Sequence, residues 1–393
     1  MGDEVLRIDE DDRYSRLRLI AWWDQEKLAA ARILVVGAGA LGNEVLKNLA
    51  MLGVGHIHIV DFDEIEESNL TRSVLFRSRD RGRAKAEVAA DTLSDINPDV
   101  HVQAICGNVI TDIGLGLFAA ADVVIGCLDN REARLWVNRS CWKVGTPWID
   151  GGIQEISGVA KVFVPPDSAC YECAMTENDY RLINLRYSCP LLKQEDLLAG
   201  KVPTAPTIAS IVGGLQTQEA LKLIHGMEVA AGSAMVFNGV VNSFYNTRFQ
   251  RKDDCLSHDT WPTPEATPLR ATANTAAELI ATASALFPDG GPLTIRLERD
   301  LIVSIDCAAC GASRRVMQPR QLVSTRELVC QACGELARPR QDHAIEENSP
   351  LAEEKLTDLG IPPYDIVRVS SPHEERVFLL EGDGQSVLSV HST

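Results

Sequence analysis

Three glycines in the pattern Gly37-x-Gly39-x-x-Gly42 stand between a short apolar run, residues 33–36, and a helical pattern. Glycines at this spacing allow a tight turn, so that a phosphate can approach the free N–H groups at the N-terminus of the helix. Asp61 ends the next apolar run, about 20 residues further on, where a carboxylate can bind a ribose hydroxyl. This stretch predicts a nucleotide site, and it fits NAD and ATP equally well.

Charged and polar residues further along the chain distinguish an ATP site from an NAD site. They follow predicted strands or begin a predicted helix, and they are Asp63, Asn69, Arg72, Lys85 and Asp129. Because open parallel sheets bind ligands at the carboxyl ends of their strands, we expect these residues and Asp61 to lie close together. A triphosphate needs cationic donors and a carboxylate that holds Mg²⁺, whereas hydride transfer needs little positive charge. The set therefore favours ATP with Mg²⁺ over an NAD-dependent oxidoreductase.

A plainer interpretation of the same residues stays open at this point. Arg72 and Lys85 are then solvated surface charges, and Asp129 caps a helix that begins near Glu132.

The elements that must position these residues alternate between short apolar runs and helical patterns over the first two thirds of the chain. This alternation predicts an α/β fold with a doubly wound, Rossmann-like, mostly parallel sheet over residues 1–258. An irregular stretch near 174–206 interrupts it and is expected to be functional. A Thr- and Pro-rich linker is predicted at 259–275, followed by a smaller α+β domain at 276–393. In that domain we expect a hairpin of 293–297 with 301–305, a helix from Ser349 to Gly360, and strands at 365–369 and 376–380.

The composition of the chain limits the classes of partner that it can bind and indicates its cellular compartment. The chain has 393 residues and a net charge of −17, which argues against nucleic acid as the main partner because phosphate binding needs clustered Lys and Arg. No apolar stretch is long enough to span a membrane, and the acidic N-terminus lacks the apolar core of a secretory signal. We expect a cytoplasmic protein without a membrane partner. Its 11 cysteines are then more suited to metal binding or catalysis than to disulfides.

Two sets of cysteines have the spacing of zinc ligands. Cys307, Cys310, Cys330 and Cys333 form two Cys-x-x-Cys pairs and predict a zinc ribbon at 307–333, with a redox function as the alternative. A third pair, Cys170 and Cys173, lacks a matching fourth pair. Its candidate partners before the linker are Cys255 and His258, because imidazole also binds zinc well. Two Zn²⁺ sites are therefore predicted. In the alternative for the third pair, its cysteines are buried as small apolar residues.

Several segments together resemble the ThiF/MoeB/HesA and ubiquitin-activating enzyme superfamily. They occur in the family's order between residues 13 and 258, and they are RYSRLRLI (13–20), GAGALG (37–42), DFDEIEESNLTR (61–72), GRAKAE (82–87), CLDNREAR (127–134) and CYECAM (170–175). The resemblance implies an enzyme that adenylates the C-terminal glycine carboxylate of a ubiquitin-like or sulfur-carrier protein. It also implies specific contacts: Asp61 would bind the ribose, Asn69, Arg72 and Lys85 the phosphates, and Asp129 the Mg²⁺. Arg16 would match the arginine that family members supply across a homodimer or pseudodimer. Without the resemblance, Arg16 would be interpreted as an ordinary surface charge.

The chemistry of adenylation is consistent with these residue types. A C-terminal carboxylate has a reference pKa near 3.5 and is ionised at neutral pH, so it needs no general base. It needs alignment with the α-phosphate and neutralisation of the charge that grows on pyrophosphate, which Arg, Lys and Mg²⁺ provide.

Cys189 is the candidate nucleophile for a second step. It lies in the irregular stretch with Arg181, Arg186 and Lys193 nearby in sequence, and these cations favour the thiolate. In ubiquitin-activating relatives, a cysteine in a comparable crossover segment accepts the modifier as a thioester, and a C-terminal domain recruits a conjugating enzyme. Two alternatives stay open: a sulfur-carrier adenylyltransferase without the thioester step, and a non-catalytic scaffold stabilised by zinc.

Overall fold

The computed structural model describes residues 12–181, 203–288 and 290–389. Its larger sheet has eight strands in the order β3-β2-β1-β4-β5-β6-β7-β8. The first five strands in the chain run parallel to one another, and β6, β7 and β8 extend the sheet in antiparallel fashion. The strands are β1 Arg32–Val36, β2 His56–Val60, β3 His101–Ile105, β4 Val123–Gly126, β5 Trp148–Gln154, β6 Ser157–Phe163, β7 Ser233–Asn238 and β8 Ser243–Arg248.

Helices cover both faces of this sheet, which confirms the predicted doubly wound fold. One apolar core lies between the sheet and α2, α3 and α6, and a second lies between the other face and α4 and α5. The helices are α1 Gln25–Ala30, α2 Ala40–Leu52, α3 Lys85–Ile96, α4 Leu115–Ala119, α5 Arg131–Val144 and α6 Pro206–Ile224.

The sequence of α2 shows how the glycine turn is held in place. Leu41, Val45 and Leu49 recur every four residues and are buried against the sheet. Gly53 ends the helix in the left-handed conformation, with φ 75°, where a side chain would be strained. The helix therefore begins at the carboxyl end of β1 with its N-terminus fixed by the packing of its apolar face.

The C-terminal residues form a second sheet with its own core. Its strand order is β11-β10-β13-β14-β9, with β12 also paired to β10, and α7, Ala276–Ser284, packs into its core. The strands are β9 Glu265–Thr267, β10 Thr294–Asp306, β11 Ser313–Pro319, β12 Arg338–Glu346, β13 Ile366–Ser370 and β14 Glu375–Leu380. A last short helix, α8, spans Gly384–Leu388.

Two local predictions for this part of the chain are wrong. The expected hairpin of 293–297 with 301–305 is one continuous strand, β10, because Arg299 at its centre is buried at a contact with the first domain and does not lie in a turn. The expected helix from Ser349 to Gly360 is two short 3-10 helices, Pro350–Glu353 and Leu356–Leu359. The predicted C-terminal end at Gly360 is confirmed, because Gly360 ends the second 3-10 helix with φ 77°. The strands expected at 365–369 and 376–380 are β13 and β14.

The stretch 259–275, predicted to be a linker, contributes β9, which pairs in parallel with β14. Residues 265–267 of that stretch therefore belong to the second sheet. Within the described residues, none of the helices is both long and apolar enough to cross a bilayer.

Candidate nucleotide site and metal clusters

The glycine turn lies directly after β1. The Gly37 N–H donates to the carbonyl of Val60, the last residue of β2, over 2.8 Å. Gly37 has φ +100°, and a Cβ at Gly42 would lie 2.0 Å from the Gly37 carbonyl oxygen, so both positions require glycine. A Cβ at Gly39 would meet nothing within 4 Å. Space is thus open above Gly39, the residue that precedes the first turn of α2, where a phosphate would bind.

Asp61 links this turn to the end of β2. Its Oδ2 accepts a 2.6 Å hydrogen bond from the Ala38 N–H inside the glycine turn, and its Oδ1 accepts one of 2.8 Å from the Asp63 N–H. Burial raises the pKa of Asp61, and the nearby Lys85 opposes this effect. The carboxylate therefore has a fixed orientation at the position predicted for a ribose contact.

Lys85 is the first residue of α3 and faces the same edge. Its Nζ lies 2.7 Å from Asp63 Oδ2, and its side chain is 11% exposed. The Lys85 N–H also donates to the Asp63 carbonyl over 2.9 Å. The surface-charge interpretation is therefore wrong for Lys85.

Asn69 and Arg72 lie in the loop that follows Asp63. Asn69 Oδ1 accepts from the Glu66 N–H over 2.9 Å, and Arg72 Nη1 donates to the Ser68 carbonyl over 2.9 Å. These bonds stabilise the loop locally. Contacts of either residue with a phosphate stay a prediction.

Asp129 follows β4 and is exposed. The side chain that caps α5 belongs to Asn130, whose Oδ1 accepts from the Ala133 N–H over 2.8 Å, so the interpretation of Asp129 as the helix cap is wrong. Asn130 Nδ2 donates to Asp129 Oδ1 over 3.3 Å. The Asp129 side chain is thus exposed just after the carboxyl end of β4, and its contact with Mg²⁺ stays a prediction.

The ends of β1, β2 and β4 bring the glycine turn, Asp61 and the segment before Asp129 to one edge of the sheet. The Cys127 N–H donates to the Val36 carbonyl over 2.8 Å, and a Cβ at Gly37 would lie 2.5 Å from the Cys127 carbonyl oxygen. The segment that carries Asp129 therefore touches the glycine turn, which in turn is bonded to Asp61.

Arg16 does not reach this edge within its own chain. It is exposed and precedes the 3-10 helix Leu17–Leu19. The neighbouring Tyr14 ring contacts Gly53, at the end of α2 that is remote from the glycine turn. A contact of Arg16 with a nucleotide would require a second copy of the chain, and it stays a prediction.

A buried charge cluster beside Asp129 was not predicted from the sequence. Arg134 Nε lies 2.9 Å from Asp150 Oδ1, and Lys161 Nζ lies 2.8 Å from Asp150 Oδ2. Burial raises the pKa of Asp150, but Arg134 and Lys161 outweigh it and hold the pKa below its ordinary value. Arg134 also donates to the carbonyls of Leu128 and Gly151. The cluster fixes the segment before α5 to the middle of β5. Arg134 lies in the motif CLDNREAR, but the pairing with Asp150 and Lys161 joins three elements and leaves no local pattern.

The structure brings together the third cysteine pair and its suggested partners. The ligand atoms of Cys170, Cys173, Cys255 and His258 all lie within 4.8 Å of one another. Cys170 Sγ is 3.7 Å from Cys173 Sγ and 3.5 Å from Cys255 Sγ, and Cys173 Sγ is 3.4 Å from His258 Nε2. Ligands on a tetrahedral Zn²⁺, with bonds of about 2.3 Å to sulfur, stand about 3.5–3.8 Å apart, so the geometry suits zinc. The alternative of a lone buried pair is wrong.

The second cluster has the same geometry in the C-terminal sheet. Cys307, Cys310, Cys330 and Cys333 also lie within 4.8 Å of one another. Cys307 Sγ is 3.5 Å from Cys333 Sγ, and Cys310 Sγ is 3.6 Å from Cys330 Sγ. Four thiolates at these distances fit a closed structural zinc site. Cys189 lies outside the described residues.

Comparisons with known proteins find a family match and similar individual proteins. The chain matches the ThiF family over residues 12–257. It is similar to the sulfur carrier protein ThiS adenylyltransferase of Escherichia coli, with 32% identity over 62% of this chain and 93% of that protein. It is also similar to the ubiquitin-like modifier-activating enzyme 5 of Dictyostelium discoideum, with 29% identity over 65% of this chain and 68% of that protein.

Among solved structures, the chain resembles Escherichia coli MccB crystallised with ATP. The TM-score is 0.52 with 26% identity, and the likeness covers 63% of this chain and 75% of that one. The family match ends at residue 257, so the second sheet lies beyond it.

Proposed function

Because the chain belongs to the ThiF family, we propose that it is an adenylyltransferase that uses ATP to activate the C-terminal glycine carboxylate of a ubiquitin-like or sulfur-carrier protein. Relatives named as adenylyltransferases and as modifier-activating enzymes support the enzyme class. The observation that carries the proposal is the glycine turn, which is bonded to Asp61 and is touched by Cys127 in the segment that leads to Asp129.

In the proposed reaction, an oxygen of the carrier's carboxylate attacks the α-phosphorus of ATP. The bond from that phosphorus to the bridging oxygen breaks, and pyrophosphate leaves. The backbone N–H groups at the start of α2, next to Gly39, and the cations Arg72 and Lys85 hold the phosphates in line for attack. Asp129 would hold Mg²⁺, which when bound offsets the charge of the leaving pyrophosphate. No residue needs to remove a proton, because the carboxylate is already ionised.

Both cysteine clusters are proposed to hold structural Zn²⁺. Their ligands are closed sets of four without a free position, so a catalytic zinc with bound water is not part of the proposal. The first cluster would tie residues 170–173 to the end of the first domain, and the second would close the tip of the C-terminal sheet.

The test is ATP–pyrophosphate exchange with a panel of carrier proteins that end in glycine. Asp129→Ala should abolish exchange that the wild-type protein shows. Asp95→Ala, which changes an exposed Asp on α3 far from the glycine turn, is the matched control and should exchange normally. Normal exchange by Asp129→Ala would overturn the site assignment.

The proposal extends to transfer of the activated carrier to Cys189 as a thioester, on the basis of the sequence. Cys189→Ala should then keep exchange but lose a conjugate that thiols cleave. A conjugating enzyme would be the next partner.

A second candidate is a sulfur-carrier adenylyltransferase that releases its adenylate without a thioester. The similarity to the ThiS adenylyltransferase over 93% of that protein favours it. Exchange without any Cys189 conjugate would select this candidate.

A further inference from the structure

The C-terminal sheet contacts the first domain at the segment between β3 and α4. Arg299 of β10 is 3% exposed and reaches into this segment. Its Nη2 donates to the Ile113 carbonyl over 2.9 Å, its Nε donates to the Ile110 carbonyl, and its Nη1 lies 3.2 Å from Asp365 Oδ2. One buried guanidinium therefore satisfies two backbone carbonyls of the first domain and one carboxylate of the second.

Asp365 makes a second bond across the same contact. Its Oδ1 accepts a 2.6 Å hydrogen bond from the Leu115 N–H, at the start of α4. The residue before the helix is Gly114, which has no side chain with which to cap it. The C-terminal domain thus supplies the capping carboxylate that this helix of the first domain lacks.

The backbones approach closely here, so the contact is specified by sequence on both sides. The Gly116 N–H donates to the Tyr364 carbonyl over 3.0 Å. A Cβ at Gly116 would lie 2.3 Å from the Tyr364 carbonyl oxygen, and one at Gly114 would lie 2.6 Å from the Pro363 carbonyl oxygen. Any other residue at either glycine would push the domains apart.

The segment held in this way leads directly to the nucleotide edge. It begins at Gly107, two residues after the end of β3, and the Asp61 N–H donates to the Ile105 carbonyl over 3.2 Å. Within it, the Asn108 N–H donates to Asp112 Oδ2 and the Ile110 N–H donates to Asn108 Oδ1, over 2.8 and 2.9 Å. These bonds connect the carbonyls bound by Arg299 to the residues beside Asp61.

The strand order indicates which part of a nucleotide lies beside the segment between β3 and α4. Phosphates bind at the turn after β1, and the ribose binds at Asp61 after β2. Because the strands run β3-β2-β1, the base continues towards the end of β3 and the segment that follows it.

We infer that Arg299 and Asp365 are positioning residues for the adenine side of the ATP site, so that the C-terminal domain forms part of nucleotide recognition. This inference rests on the proposed function. It concerns residues beyond the family match at 12–257 and is thus a property of the added domain.

The test compares two variants of the full chain that each remove one cation from the contact between the domains. Arg299→Met releases the segment. Lys143→Met removes the pair of Lys143 on α5 with Glu298 on β10, and neither residue bonds to the segment. Both variants should melt at a lower temperature than wild type. Arg299→Met alone should weaken ATP binding, by about tenfold or more in Kd.

Nucleotide selectivity distinguishes a positioning role of Arg299 from a general loss of protein stability. In Arg299→Met, the preference for ATP over GTP should fall, while the affinity for tripolyphosphate should stay within about twofold of wild type. An unchanged Kd for ATP, or equal losses for ATP, GTP and tripolyphosphate, would overturn the inference. If Arg299→Met does not fold, Asp365→Asn takes its place, and the same outcomes apply. Wild-type protein that binds no ATP would instead refute the proposed function.

Discussion

His58 is expected to make the folded protein less stable as pH falls. It lies in the middle of β2, is 0% exposed, and has no hydrogen-bond partner for either ring nitrogen in the described part of the chain. Burial, with the Arg32 charge as a smaller cause, lowers the pKa of His58 to about 4 from 6.5. The unfolded chain therefore binds a proton in the pH range between these values, and the folded protein does not.

The size of the effect follows from the two pKa values. A folded-state pKa below the unfolded one means that this contribution to stability is present above about pH 6.5 and is lost as pH falls towards about 4. The full difference corresponds to about 3 kcal/mol, of which about 2 kcal/mol is lost at pH 5.

Denaturant unfolding at about pH 7.5 and about pH 5 measures this loss in wild type and in His58→Gln, which cannot titrate. Release of the proposed Zn²⁺ at low pH would affect both proteins equally and cancel in the comparison. Wild type should lose about 2 kcal/mol more than the variant. His101→Gln changes an exposed histidine on the neighbouring strand and should behave as wild type does. Losses in wild type and His58→Gln that agree within about 0.5 kcal/mol would refute the reasoning.

Three further outcomes are expected. Gly39→Ala should keep the melting temperature of wild type but lose ATP binding, because its methyl group enters open space where a phosphate would lie. Gly42→Ala should instead lower the melting temperature. Calorimetry measures the melting temperatures, and titration with ATP measures the binding. Wild type should bind two zinc ions per chain by elemental analysis, and Cys173→Ser and Cys310→Ser should each bind one; a single zinc in wild type would contradict the assignment. Arg16→Ala and Asp129→Ala should each lack ATP–pyrophosphate exchange, and mixing them should restore part of it if Arg16 acts across a dimer. Failure to restore exchange in mixed dimers would contradict that arrangement.

Features encoded by local spacing could be predicted from the sequence. The glycine turn, Asp61 and Lys85 each follow from residues next to a strand or helix end, and the structure brings them together. The pairing of Cys170 and Cys173 with Cys255 and His258 could also be suggested, because few other ligands stand before the second domain.

Features formed between distant segments could not be predicted. Arg299 and its polar neighbours Glu298 and Asp300 interrupt an apolar strand pattern, which predicts a turn. Its carbonyl and carboxylate partners lie 66 to 189 residues away, beyond the reach of any periodicity. The Asp150 cluster was missed for the same reason. The choice between Asp129 and Asn130 as the cap of α5 depends on a shift of one residue, which side-chain preference alone does not resolve.

The two cysteine clusters differ in the length of chain that each closes. Cys310 and Cys330 are 20 residues apart, whereas Cys170 and Cys255 are 85 apart and enclose α6, β7 and β8. Closing the longer loop costs about 1.2 kcal/mol more chain entropy, since each doubling of length adds about 0.6 kcal/mol. If both clusters hold Zn²⁺ as proposed, the ribbon site needs only residues 307–333 of the chain. The other site also needs Cys255 and His258, which follow α6, β7 and β8, so it cannot close before that half of the first domain has been synthesised.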